Sequence, residues 1–157
     1  MRKNIYEILD DFQNADNKVD RLYTLRVNAT LAFKAVLQNA FHPNILWYRT
    51  EFPKFKVRNV PPGLGFNTIA TELKRFYLFR KDNPELPETL TEKRKDEILL
   101  QMLESMEPRE AQVMINMMLK DLKIEHLTYD LVREAFPELL PELPPVVVKK
   151  AKKEVDA

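Results

Sequence analysis

The feature that most constrains this chain is the rhythm of its apolar residues. They recur at helical spacing in short runs, and each run is cut off by proline, asparagine or aspartate. Ile5, Ile8, Leu9 and Phe12 make a first short amphipathic helix, and Asn14 to Asp16 break it, with Asp16 expected to cap the next one. That second helix carries Val19, Leu22, Tyr23 and Leu25 as its apolar set. A third runs from Ala29 to Phe41 and stops at His42-Pro43-Asn44, because proline cannot continue a helix and constrains the residue before it. Ile45 to Arg49 reads as a brief extended segment or a helical turn, and Glu51 to Gly65 as a loop. Helix resumes after Asn67 with Ile69, Leu73, Phe76, Tyr77 and Phe79. Thr91 to Met106 is the clearest helix, with Thr91 as its N-cap and Glu92 in the first turn, where negative charge suits the dipole. Pro108 suits the first turn of a helix running to about Asp121, and a final helix spans about Thr128 to Phe136.

These segments predict an all-α chain. A single compact domain of about seven helices occupies 1–141, followed by a proline-rich and then lysine-rich tail at 142–157. The 157 residues are 45% apolar, enough for a real core. No run approaches the ~20 apolar residues of a membrane span, and the N-terminus lacks the apolar run of a signal peptide. The expectation is a soluble intracellular protein with no membrane partner.

Several chemistries are excluded by what is scarce. The two glycines, Gly63 and Gly65, both lie in PPGLG, so no glycine-rich phosphate loop exists. Without cysteine there are no disulfides and no thiolate ligands, and two histidines do not make a conventional zinc site. No cofactor or small-molecule substrate is expected. His42 and His126 have no Cys partner, and the one serine, Ser105, sits in an amphipathic helix rather than a Gly-x-Ser-x-Gly setting. The chain therefore reads as a non-enzyme. Asp10 and Asp11, and likewise Glu134 and Glu138, read as solvated faces. Met102, Met106, Met114, Met117 and Met118 recur at helical spacing and read as core, as do the aromatics Trp47, Tyr48, Phe76, Tyr77 and Phe79.

Net charge is +1, against the large excess usual in a non-specific polyanion binder. The distribution is less even. Residues 1–60 carry ten Lys/Arg against six Asp/Glu, and Lys149, Lys150, Lys152 and Lys153 crowd the tail. Those four read equally as phosphate contacts or as a solubilising end.

The segment Met114 to Leu140, MINMMLKDLKIEHLTYDLVREAFPELL, is helix, short polar break, helix and Phe-Pro stop. It is preceded by ILDDF, by NATLAFKAVLQNAFHPNILWY and by TIATELKRFYLF. In that order, from about Ile5 to Pro144, the chain resembles the N-terminal DNA-binding domain of the ATP-dependent DNA ligases of T-even-type bacteriophages. Lys120-Asp121-Leu122 stands at the ligases' R/K-Asp-Leu step, and Phe136-Pro137-Glu138-Leu139-Leu140-Pro141 at their closing aromatic-Pro element. The chain also looks like small proteins carried by T-even-like phages and cyanophages, which bring no activity with them.

The resemblance implies the helical fold of that domain and duplex DNA, nicked or intact, as a partner held by backbone phosphates. It implies a place in the cytoplasm of an infected bacterial host, or with the virion. The candidate contacts are Lys34, Lys120, Lys123 and His126, with Lys74, Arg75 and the lysines of the tail. Two departures from the ligase pattern stand out. The break after Leu122 has Glu125 and no glycine, and the corner at His42, Pro43 and Asn44 lacks the Arg-Gly of the ligases. The adenylation motif Lys-x-Asp-Gly is absent, which excludes ligation. Two expectations follow: a non-catalytic DNA-associated accessory protein, or an interaction protein that kept the fold, lost the DNA and binds a phage or host protein.

Overall fold

Local signals set the helix boundaries. The computed structural model describes residues 3–48, 67–81 and 83–142. Among them α1 is Ile5–Gln13, α2 Lys18–Val27, α3 Leu31–Phe41 and α4 Ile69–Glu72. A 3-10 helix, Leu73–Phe79, follows, then α5 Glu92–Ser105, α6 Pro108–Met118 and α7 Tyr129–Ala135. Thr30, Thr68, Thr91 and Thr128 cap α3, α4, α5 and α7 by accepting a backbone N–H from the first turn. Pro108 opens α6, where its missing N–H costs nothing. The cap of α2 is Asn17 and not Asp16: the Asn17 side chain accepts from the Asp20 N–H at 2.9 Å. The aromatic segment after Asn67 is one α-turn and then 3-10 helix, so it is shorter in α-helix than its periodicity predicts.

The chain is all-helical and forms a single compact domain, with no strand among the described residues. Two isolated bridges occur, Trp47 with Arg80 and Asn67 with Met106. The first gives the Ile45–Tyr48 part of the aromatic segment its extended form. Tyr48 N–H donates to the Phe79 carbonyl at 2.8 Å and Lys81 N–H to that of Leu46 at 2.9 Å. The proline-bearing loop 51–65, with both glycines, and the tail from 143 onward lie outside the described residues.

The core is organised around α6, which packs against α1, α3, α4 and α5, while α2 rests on α1 and α7. Val113, Met114, Ile115, Met117 and Met118 are all buried on it. Met102 and Met106 are buried too, so all five methionines fill the interior as their spacing indicates. Trp47, Phe76 and Phe79 are core residues, whereas Tyr77 is 45% exposed. The second helix departs furthest from expectation. Leu22 and Leu25 face inward, but Val19 and Tyr23 are 74% and 66% exposed. Burial of Leu22 and Leu25 sets which face of α2 packs, and Lys18 and Arg26 add exposed ties to α7. Lys18 pairs with the Glu134 carboxylate at 2.9 Å, and Arg26 donates to the Glu134 carbonyl at 3.2 Å.

Replacing Met117, which is fully buried, with alanine should cost about 2–5 kcal/mol in urea unfolding. Val19→Ala, on the outside of α2, should stay within about 0.5 kcal/mol of the parent.

Candidate functional site

The connector between α6 and α7 is where the sequence concentrates its candidate residues, and its backbone is unusual. Lys120, Lys123 and His126 have φ of 63°, 58° and 69°, the left-handed region that glycine occupies most readily. Lys120 lies just past the C-cap of α6. Its N–H donates to the Met117 carbonyl at 3.0 Å, and the Asp121 N–H to that of Asn116 at 3.0 Å, which is the paired closure of a Schellman motif. Lys123 donates its N–H to the Asp121 carboxylate at 2.9 Å. His126 is the third residue of a turn closed by Leu127 N–H on the Ile124 carbonyl at 3.2 Å. Leu122 and Leu127 are buried between these corners and pin the connector to the core. The connector contains no glycine, yet the chain takes glycine-like backbone there three times.

The left-handed turn at Lys120 sends its side chain beneath the end of α3. The ammonium donates to the carbonyls of Asn39 at 2.8 Å, His42 at 2.7 Å and Ile45 at 2.7 Å. Asn39 lies in the last turn of α3, where carbonyls lack intrahelical partners and the dipole favours a cation, and His42 is its C-cap, whose carbonyl also accepts the Ile45 N–H at 3.2 Å. Burial, and then the nearby Arg80 guanidinium, pull the Lys120 pKa down to about 8. The three carbonyl dipoles act the other way and favour the ammonium. Arg80 itself donates from Nη2 to the Asn39 side chain at 3.0 Å. Its Nε and the Trp47 indole N–H are buried without an acceptor, so this corner already carries unmet polar demand. Lys120 is thus the clamp that joins the ends of α3 and α6. It unites in space the two segments, 42–44 and 120–126, at which the chain departs from the ligase pattern.

The other candidates are dispersed. Lys34 sits 5.7 Å over the Phe136 ring, beside a cleft of about 460 Å³ formed with Pro137, Glu138 and Leu139. Arg75 pairs with the nearly buried Glu72 at 2.9 Å. Lys74 is exposed on the 3-10 helix. His126 lies 3.5 Å from the Glu125 carboxylate, with both side chains open to solvent. Lys123 is exposed and has no ion-pair partner among the described residues. No contact or cleft among the described residues gathers these cations into one surface, and Lys149, Lys150, Lys152 and Lys153 lie outside them.

Two polar features escaped the sequence reading. Glu110 on α6 is 1% exposed and accepts backbone N–H groups from Tyr6 at 3.2 Å and Ile69 at 3.3 Å, in the first turns of α1 and α4. It ties two helix N-termini to the central helix. Burial pushes its pKa above the ordinary 4.5, with the N–H donors opposing. Asp10 lies on a solvated face, as its pattern indicates, and there accepts two bonds from Arg109 at 2.8 and 2.6 Å, with that guanidinium 4.9 Å over the Tyr6 ring. Neither was legible, because each depends on helices brought together from about a hundred residues apart. No cluster of three or more potential metal-ligating side chains occurs among the described residues.

The fold and this arrangement define a small helical domain whose conspicuous polar residues serve helix ends. Residues 8–126 match a family of unknown function (DUF6433). The match spans most of the chain, and the protein belongs to that family. No curated protein matches it.

The three left-handed residues yield a contrast. Lys123→Gly and His126→Gly should each stabilise the fold by about 0.5–1 kcal/mol by relieving backbone strain. Lys120→Gly relieves the same strain but removes the clamp, and should destabilise by roughly 2 kcal/mol or more, measured in urea. Glu110 contributes a pH dependence. Between its ordinary pKa and its raised native one, the folded state holds a proton that the unfolded chain has lost. Its contribution to stability is therefore greatest below pH ~4.5 and is lost as pH rises through the native value. Urea midpoints for the parent and Glu110→Gln from about pH 4 to 7 should show that component in the parent alone.

Proposed function

We propose that this protein is a non-catalytic interaction protein, binding a phage or host protein in the cytoplasm of an infected bacterium or in the virion. The observation that carries this reading is the outer face of α2. Val19, Tyr23 and Val27 follow one another at intervals of four, and Leu31 continues the series at the start of α3. Their exposures are 74%, 66%, 59% and 79%. Single exposed apolar residues are ordinary, but three along one face of α2, with Leu31 exposed at the start of the next helix, form an apolar face of the kind that docks on a partner protein. The internal use of Lys120 and the pairing of Arg75 also support it, since both withdraw cations that a DNA contact would need. Capture from infected cells with the parent and with a Val19→Glu/Tyr23→Glu variant tests the reading. A partner retained by the parent and lost by the equally stable variant agrees with it. Identical captures contradict it.

The second reading is the accessory protein that binds duplex DNA through backbone phosphates. It is favoured by Lys123 and His126, which stand exposed on the connector between α6 and α7, side chains of the kind that contact backbone phosphates. Lys34, Lys74 and the lysines of the tail would add to these, with Lys120 no longer among the contacts. With ~4–6 phosphates engaged, log K should fall with log salt at a slope of about −4 to −5. Fluorescence anisotropy on nicked duplex, intact duplex and single strand measures this, and a flat salt response removes the reading.

A further inference from the structure

Between α1 and α6, closed at one end by Leu122–Ile124, lies a groove of about 250 Å³. That is smaller than the ~300–1,000 Å³ of sites for drug-sized ligands, and suits a single amino-acid-sized group. Its wall is divided in chemistry. Leu9, Val113, Leu122 and Ile124 supply an apolar side, and Lys123, Asn116, Gln112 and the Asp10–Arg109 pair a polar one. Asn116 is 9% exposed. Its Oδ1 accepts from Gln112 Nε2 at 2.9 Å, but its own amide N–H groups have no acceptor among the described residues. These donors are not sealed in the interior; they open toward the groove. Lys123 brings a cation with no ion-pair partner, on the connector that holds left-handed backbone without glycine. Arg109 donates two bonds to the Asp10 carboxylate, so the formal charge of the residues lining the groove sums to one positive, on Lys123.

We propose that this groove is a binding site for a small monocarboxylate. The apolar body packs on Leu9, Val113, Leu122 and Ile124, and the carboxylate accepts from the Asn116 amide and the Lys123 ammonium. A single uncompensated cation matches a monoanion, and the Asp10 carboxylate in the same wall disfavours a phosphate dianion. The same chemistry is offered by a free aliphatic acid and by the C-terminal residue of a partner peptide. This inference stands apart from the α2 surface, and its failure leaves that reading untouched.

The test is two-dimensional ¹H–¹⁵N NMR of the full chain, following the Asn116 side-chain NH₂ and the Lys123 amide. The probes are 4-methylpentanoate, acetyl-Ala-Ala-Leu with a free C-terminus, the same peptide amidated, and inorganic phosphate. Saturable shifts at both positions with one or both carboxylates, absent with the amidated peptide and with phosphate, are expected. The stronger carboxylate identifies the source. Lys123→Gln, an exposed change, should weaken that binding by about tenfold, the equivalent of ~1.4 kcal/mol. No shift with either carboxylate at about 20 mM, well above a millimolar Kd, overturns the proposal. So do equal shifts with the amidated peptide or with phosphate.

Discussion

One ammonium ties the end of α6 to the end of α3. Lys120 leaves the end of α6 on left-handed backbone and is received by three carbonyls at and beyond the end of α3. Each helix solves the other's problem. α6 needs a left-handed residue to close its Schellman motif, and α3 needs a donor for carbonyls that its own turns cannot satisfy. A glycine would serve the first need better and could not serve the second. That explains a lysine at a backbone position where it is strained. The strain is about 1 kcal/mol, less than the worth of three charge-assisted hydrogen bonds.

The buried Glu110 does the complementary work at the opposite helix ends. Its carboxylate receives N–H groups from the starts of α1 and α4, as Lys120's ammonium serves the end of α3. Both residues flank the apolar face of α6, so the central helix carries an anion for helix N-termini and a cation for a helix C-terminus. Both signs agree with the helix dipole. These polar ties fix the angles at which helices meet a core that is otherwise rich in methionine, a residue that adapts to many packings. Lys120 is committed to the fold, whereas Lys123, His126 and Lys74 are turned to solvent among the described candidates.

The class of fold was readable because helix starts and stops are local events. Thr91, Pro108 and Thr128 announce their helices within four residues of sequence, and the methionine spacing announces the core. What failed was non-local. Val19 and Tyr23 look like the buried face of α2 on periodicity alone. The side of α2 with Leu22 and Leu25 is the buried one, and α2 packs on α1 and on α7, the latter more than a hundred residues away in sequence, which leaves Val19 and Tyr23 outside. The destination of Lys120 was hidden for the same reason. A lysine beside a helix break reads as a surface cation until the corner at His42 is placed against it. Apolar spacing and breakers supplied the order of the helices, and geometry alone revealed which cations the fold itself consumes.

The most direct measurement of this account is NMR of the lysine side-chain ammonium groups near neutral pH and low temperature. The account requires one ammonium with hydrogen exchange far slower than the others, assigned to residue 120 by its loss in Lys120→Met. If every lysine exchanges at the rate of a solvated side chain, the clamp does not exist in solution. Lys120 would then return to the set of cations available for phosphate.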